Sequence, residues 1–212
     1  MQRDEMTLRT EPPSLPILIF DERKLVPSFG YLFDRKWLDP HESIVSLLWK
    51  FARMNRLPGH VIAAQLSRTV IDPYEGIVPS RSAVDMPRLR QTLGIPMKLL
   101  RGALLPDSLS RIASPQFRFC RKCLARGYHG VVHQLQTIQH CPIHGGWLDT
   151  ACPHCELSTP YRLNASLLDT PFRCAHCRQL YGTQYPSFVH RRGFKLAERI
   201  ALTRSRMYRC LG

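Results

Sequence analysis

The sequence CRKC at residues 120–123 is followed by CPIH at 141–144, CPHC at 152–155 and CAHC at 174–177. These four tetrapeptides hold seven of the eight cysteines in the 212-residue chain. Each one offers two ligands across a tight turn, which is half of the tetrahedral set that zinc prefers. Four half-sites in succession therefore predict two complete metal sites.

The order along the chain pairs neighbouring half-sites. The first site combines three thiolates with one imidazole, and 17 residues separate its halves. The second site is all-thiolate, and 18 residues separate its halves. Complete sets with such similar loops are typical of structural zinc modules, so we expect two structural zinc ions per chain. The expected ligands are Cys120, Cys123, Cys141 and His144 for the first ion, and Cys152, Cys155, Cys174 and Cys177 for the second.

Other uses of paired cysteines fit the sequence less well. Disulfides need an oxidising compartment, whereas the chain starts MQRDE without an apolar signal segment, so we expect a cytoplasmic protein. A thioredoxin-like redox pair belongs beside a βαβ pattern, which the sequence lacks. A catalytic zinc keeps one position for water, while both ligand sets here are complete. The sequence therefore predicts no enzyme, and Cys210 is expected to be a free thiol.

Composition points to a globular protein with an acidic partner. Hydrophobic residues make up 44% of the chain, and its longest aliphatic run, 17–20, is far shorter than a membrane helix. The net charge is +14, and residues 186–212 alone carry seven basic residues and one acidic residue. This concentration favours nucleic acid as a partner. A basic surface that only serves solubility is the alternative.

The segment before the cysteines has helical patterns. Asp39 and Pro40 predict a helix start, and apolar residues at 44, 47, 48 and 51 form one stripe of a helix that extends to 55. A second helix is expected over 60–66, a third after Asp85 and a fourth after Pro96. The tight joint at 93–96 favours a helix-turn-helix, although a plain small helical bundle fits equally well.

Two sets of surface contacts follow from these patterns. Val45 and Trp49 lie off the apolar stripe of the first helix, so we expect them to contact a partner, unless they belong to the core. Basic residues near the first cysteines and in the C-terminal tail are expected to contact nucleic acid, unless they form a solvated face. These basic residues are Arg118, Arg121, Lys122, Arg126, Arg191, Arg192, Lys195 and Arg199.

The sequence thus predicts a mainly α N-terminal domain, helix-turn-helix-like, followed by two tandem zinc modules and a basic C-terminal helix. The expected boundaries are 1–37 for an irregular extension, 38–110 for the helical domain, 115–150 and 151–182 for the zinc modules, and 186–212 for the basic helix.

The run FCRKCLARGYH at 119–129, with HQL at 133–135, CPIHG at 141–145 and CPHC at 152–155, resembles the TniQ family of transposon target-selection proteins. Residues 42–55 also look like the opening helix of that family. The resemblance covers roughly residues 38–180 and is most specific in the cysteine-rich part. Arg121 departs from it, because a proline commonly follows the first cysteine. The C-terminal end is also shorter than in members with additional DNA-recognition domains.

The resemblance implies a zinc-binding adaptor of bacterial transposition. Such a protein links target DNA, or an RNA-guided CRISPR effector complex, to the AAA+ ATPase regulator that recruits the transposase. It implies a cytoplasmic, nucleoid-associated protein, and a homodimer is compatible with it. We expect the helical half to dock on the regulator and the basic half on nucleic acid. The alternative from the residues alone is a zinc-ribbon DNA- or RNA-binding regulator unrelated to transposition.

Overall fold

The computed structural model describes residues 30–67, 72–187 and 193–210, with side chains up to Arg206 in the last segment. The described part is helical: besides the 3₁₀ helices it has seven α-helices, and its β-type pairing consists of isolated bridges. The α-helices are α1 (Ile44–Asn55), α2 (Gly59–Ala64), α3 (Met86–Leu93), α4 (Met97–Gly102), α5 (Arg121–Ala125), α6 (Ala165–Leu168) and α7 (Leu196–Cys210). The 3₁₀ helices are Arg35–Trp37, Asp107–Ile112 and Val131–Gln134.

Several expectations fall outside these residues. Most of the expected extension, residues 1–29, is not described, and neither are Arg191, Arg192 and the side chain of Cys210. None of the described helices is long and apolar enough to cross a membrane.

Helix α1 starts four residues later than the sequence predicts, with Ser43 in place of Asp39 as the N-cap. Ser43 is its N-cap and accepts a hydrogen bond from the Ser46 backbone N–H at 3.2 Å. Residues 39–42 form a turn instead, because His41 has a φ of 54°, which a right-handed helix does not allow. The carboxylate of Glu42 does reach back to the backbone N–H of Asp39, at 3.1 Å, but outside the helix.

The starts predicted for the short helices α3 and α4 are confirmed. Asp85 caps α3 by accepting from the Arg88 backbone N–H at 3.2 Å. Gly94 ends α3 with a φ of 63°, a left-handed conformation that glycine adopts without strain, and α4 follows Pro96. The interpretation of this pair as a DNA-binding helix-turn-helix stays a prediction.

Helix α1 is buried on all sides, which makes the expected exposure of Val45 and Trp49 wrong. Both side chains are 0% exposed. The indole of Trp49 packs edge-to-face against Phe117 and Phe172, and its Nε1–H donates to the Leu167 carbonyl at 2.7 Å. The cysteine-rich half of the chain therefore covers the side of α1 that the sequence left for a partner.

The helical segment and the second cysteine set share one hydrophobic cluster. Cys152 and Cys174 belong to the same cluster of buried residues as α1. Helix α2 packs closely on α6, where Gly59 leaves no space for a side chain. A Cβ on Gly59 would lie 2.5 Å from the Ala165 carbonyl oxygen and 2.6 Å from the Asp169 nitrogen. The second metal site is thus part of the main core.

A second cluster joins the first cysteine set to α7. It contains Cys120, Cys123 and Cys141 together with Phe194 and Leu202 of the C-terminal segment. Tyr128 stacks edge-to-face on Phe194 with ring centroids 4.8 Å apart. The basic helix therefore packs against the first metal site.

A buried ion pair stabilises the start of α1. The side chains of Glu42 and Lys50 form a salt bridge with almost no exposure to solvent. Lys50 also donates to the Trp37 carbonyl at 2.6 Å, and Ser46 Oγ donates to Glu42 at 2.6 Å. Burial raises the pKa of Glu42 and lowers the pKa of Lys50, and the opposite charge of each partner counteracts that shift.

Replacing Lys50 by methionine should destabilise the fold by about 3–5 kcal/mol, because it leaves the Glu42 carboxylate buried without its charge partner. The double variant Glu42→Gln/Lys50→Met should recover a large part of that loss. Exposed Lys98 on α4 provides the control, since Lys98→Met should change the free energy of unfolding by about 0.5 kcal/mol or less. Denaturant unfolding with zinc present throughout measures all three. Equal losses of unfolding free energy for Lys50→Met and Lys98→Met would contradict a stabilising role for the buried ion pair.

Candidate metal centres

The first expected ligand set converges on one point. The three sulfur atoms of Cys120, Cys123 and Cys141 and one ring nitrogen of His144 lie within 4.8 Å of one another. The His144 Nδ1 lies 3.4, 3.3 and 3.6 Å from these sulfurs in that order. A zinc–sulfur bond of about 2.3 Å gives a tetrahedral edge of about 3.8 Å, so the four atoms are arranged as the corners of a zinc-sized tetrahedron.

The second expected set converges in the same way. The sulfurs of Cys152, Cys155, Cys174 and Cys177 lie within 4.8 Å of one another. Cys152 Sγ is 3.6 Å from Cys177 Sγ, and Cys155 Sγ is 3.7 Å from Cys174 Sγ. The pairing of half-sites in chain order is confirmed for both sets. The two clusters fit two structural zinc sites, since thiolate and imidazole donors in fours are the usual structural zinc set.

Three of the four half-sites share one backbone conformation. The residue directly after the second ligand has a positive φ in each: 67° at Gly145, 62° at Glu156 and 63° at Arg178. Its N–H donates to the carbonyl of the first ligand at 2.8, 2.9 and 3.0 Å respectively. The N–H groups of His154 and His176 also point at the preceding thiolate, at 3.4 and 3.3 Å. These N–H groups favour a charged sulfur, which is the form that binds metal.

The remaining half-site differs because a helix starts inside it. Helix α5 begins at Arg121, and the backbone N–H of Leu124 donates to the Cys120 carbonyl at 3.0 Å. Hydrogen bonds from the thiols of Cys123 and Cys141 lower the pKa of Cys120, despite its burial. The neighbouring thiols therefore stabilise the charged, metal-binding form of Cys120.

Two buried histidines, His129 and His133, support the first site, a role that their positions in the sequence do not predict. The backbone N–H of Gly130 donates to His133 Nδ1 at 3.3 Å, so the ring proton of neutral His133 lies on Nε2. That nitrogen is 3.7 Å from the sulfur of Cys141. Burial lowers the pKa of His133 to about 4, which keeps the ring neutral at neutral pH. His133 thus orients a ligand without being one.

His129 connects the first site to the cap of α1. Its Nε2 lies 2.7 Å from the Arg118 carbonyl and its Nδ1 2.6 Å from the hydroxyl of Ser43. Its backbone carbonyl accepts from the Ser43 N–H at 2.7 Å, and its own N–H donates to Ser46 Oγ at 3.3 Å. The spacing of His129 from the cysteines gives no signal of this role, because the contacts are made across the fold.

Arg118 is buried, so its assignment to nucleic acid is wrong. It is 5% exposed, and its guanidinium donates to the carbonyls of Leu135 and Ile138 at 2.6 Å each. These bonds hold the chain between the two halves of the first site. A buried guanidinium with two backbone partners has no access to a phosphate.

Two further arginines are engaged in contacts within the protein. Arg121 makes a two-pronged hydrogen bond to Asp149, with distances of 3.1 and 3.0 Å, and its side chain is half exposed. Arg126 lies over the ring of Phe194 at 3.8 Å and is 4.0 Å from the carboxylate of Glu198. Arg126 therefore joins α5 to the start of α7.

Besides Arg121, which is paired with Asp149, three of the expected cations within the described residues are exposed. Lys122 lies on α5, Lys195 directly precedes α7, and Arg199 lies in the first turn of α7. Because Arg126 joins these two helices, the three side chains belong to neighbouring elements. We call Lys122, Lys195 and Arg199 the α5–α7 face.

No protein-family model matches the chain, and no curated protein matches it either. Over the described residues, the fold and the clusters define a protein whose regular structure is helical, with two four-residue clusters that fit structural zinc, one of them within the main core.

Metal analysis of the purified protein should find two zinc ions per chain. Cys123→Ser and Cys155→Ser should each reduce the content to about one, because three remaining ligands hold a structural zinc poorly. The Cys155 variant should also lower the stability of the helical segment, since the second site shares its core. His154→Ala is the control, because His154 is exposed and lies between two ligands without being one. A content of one or zero in the unchanged protein would contradict the assignment.

Proposed function

We propose that this chain is a zinc-binding transposition adaptor of the TniQ type. In that role it links target DNA, or an RNA-guided effector complex, to an AAA+ ATPase regulator. The observation that carries the proposal is the pair of complete ligand clusters fixed to a helical core. Both donor sets are full, so neither leaves a position where a metal would activate water. Such a protein acts through contacts and not through catalysis.

The motif residues that suggest the family occupy the joint between the two halves. Tyr128, His129, His133 and Gln134 are all buried at 0% exposure. The Tyr128 hydroxyl donates to the Pro40 carbonyl at 3.1 Å, close to where His129 holds the cap of α1. These buried contacts fix the orientation of the helical half relative to the metal-binding half. An adaptor between two large partners requires such a fixed orientation.

The protein partner needs a surface other than Val45 and Trp49. A cleft of about 610 Å³ opens between the turn before α1, helix α4 and the end of α7. Its lining combines the apolar side chains of Leu38, Met97 and Leu99 with four cations and the carboxylates of Asp39 and Glu42, the second of which is paired with Lys50. These cations are Arg81, Lys98, Arg101 and Arg206. An apolar segment of the regulator with acidic flanks is the complementary occupant.

Binding to filaments of the matching AAA+ ATPase on DNA tests the adaptor role. The intact zinc-loaded chain should co-sediment with them. Leu99→Asp should weaken this binding, because it places a charge on the exposed apolar side of the cleft, where Leu99 is 47% exposed. Val78→Asp is the matched control, since Val78 is also exposed but lies outside the cleft.

Each outcome of that experiment has a defined meaning. If the intact chain never binds the filament, the adaptor role is wrong. If both variants bind as the unchanged protein does, the cleft is wrong and the role survives. A deletion of the helical half is unsuitable, because it would remove Trp49 from its contacts with Phe117 and Phe172.

The exposed cations of the α5–α7 face favour a second candidate, a zinc-ribbon DNA- or RNA-binding regulator unrelated to transposition. In both candidates these cations neutralise phosphates, and binding is salt-dependent because counterions are released. Only the second would lack affinity for the AAA+ filament.

Replacing Lys122, Lys195 and Arg199 together by glutamine should weaken binding to duplex DNA. The slope of log affinity against log salt should become shallower by up to about 3, at about 0.9 per lost phosphate contact. The control triple variant has the same loss of charge at exposed positions outside this face, outside α3 and α4 and outside the cleft: Lys36→Gln, Arg56→Gln and Arg111→Gln. Equal slopes for the two triple variants would mean that the α5–α7 face is only a solvated surface.

A further inference from the structure

The first metal site exposes a large aromatic side chain. Trp147, three residues after the ligand His144, is 69% exposed, while Trp49 is 0% exposed. Tryptophan offers a large apolar surface, and its exposure in a protein that buries most other aromatics indicates a surface that contacts a ligand.

The protein holds this ring in a fixed position. The residues beside Trp147 are both hydrogen-bonded within the site: the Gly146 carbonyl accepts from the Cys141 N–H at 2.8 Å, and the Leu148 N–H donates to the Gln139 carbonyl at 3.0 Å. The ring of His140 packs against the indole, with centroids 4.1 Å apart and planes 40° apart. One side of the indole is therefore supported, and the ring is pre-organised for a planar ligand.

A groove of about 580 Å³ lies next to the ring. It is bounded by residues 137–142 and Trp147 on one side and by Arg204 and Ser205 of α7 on the other. Among the residues that the structure describes, its lining contains a guanidinium and no carboxylate. The same helix α7 carries Arg199 of the α5–α7 face, and Lys195 of that face directly precedes it. The charge of the groove suits an anionic ligand and opposes a cationic one.

We propose that Trp147, backed by His140, is a stacking platform for an unpaired nucleobase, and that Arg204 contacts the adjoining phosphate. The ligand class is single-stranded DNA or RNA, because the face of a base is free to stack only where the base is unpaired. Every base has such a face, so the site binds without strong sequence preference. This inference rests on the nucleic-acid part of the proposed function and adds the strand state of the ligand.

The test compares three fluorescently labelled probes of one length with the zinc-loaded protein: a single-stranded oligothymidine, a duplex, and a phosphodiester chain without bases. Trp147→Ala should weaken binding of the oligothymidine about tenfold, since stacking on an aromatic ring contributes on that order per base. Binding of the duplex and of the baseless chain should change less than twofold. Trp147→Phe should keep most of the affinity, and the oligothymidine should quench tryptophan fluorescence of the unchanged protein.

Leu157→Ala provides the matched control, because Leu157 is a 52%-exposed apolar side chain at the corresponding turn of the second site. Metal content verifies that each variant is folded. Unchanged oligothymidine binding by Trp147→Ala would overturn the platform, as would an equal loss for all three probes. If duplex binding stays salt-dependent in either case, the proposed function survives. If no probe binds at all, the platform fails together with the nucleic-acid part of the proposed function.

Discussion

The structure depends on one constraint: in each of two clusters, four donor atoms must converge on a single point. Each set draws residues 24 or 25 positions apart into a cluster less than 5 Å across. Metal–ligand bonds of this kind stabilise folds that have little regular structure, and the cysteine-rich part of this chain has only short helices and isolated bridges. The positive φ values after three of the half-sites are the local conformation that lets two ligands point the same way.

The metal sites are not modules attached to an independent helical domain. The second shares its buried surface with α1 through Phe172 and Cys174, and the first is tied to the cap of α1 through His129. Burial of α1 on all sides follows from this arrangement. The ion pair between Glu42 and Lys50 has the same cause. In a two-layer bundle Lys50 of α1 would face solvent, whereas here it is buried and needs a charge partner inside the protein.

The same arrangement divides the outer surface by chemistry. Helix α7 packs on the first site with Leu202, next to Phe194, and Arg199 and Arg204 of the same helix are exposed. Trp147 stands across a groove from Arg204 of α7, and the cleft around Leu99, which Arg206 of α7 also lines, combines apolar and basic side chains. Nucleic acid on the first surface and a protein segment in the cleft are compatible, which is the geometry that a proposed adaptor requires.

The sequence by itself determined the eight ligands and their pairing, the capped helix α3 and the helical character of the N-terminal half. These features depend on residue type and short spacing, which tight turns convert directly into geometry. Only the tertiary structure decided that Trp49 is core and that Arg118 is buried, because periodicity along one helix cannot show what covers its second face. The roles of His129 and His133 were decided in the same way. Their partners lie at the cap of α1 and at Cys141, and only packing brings them within hydrogen-bonding distance.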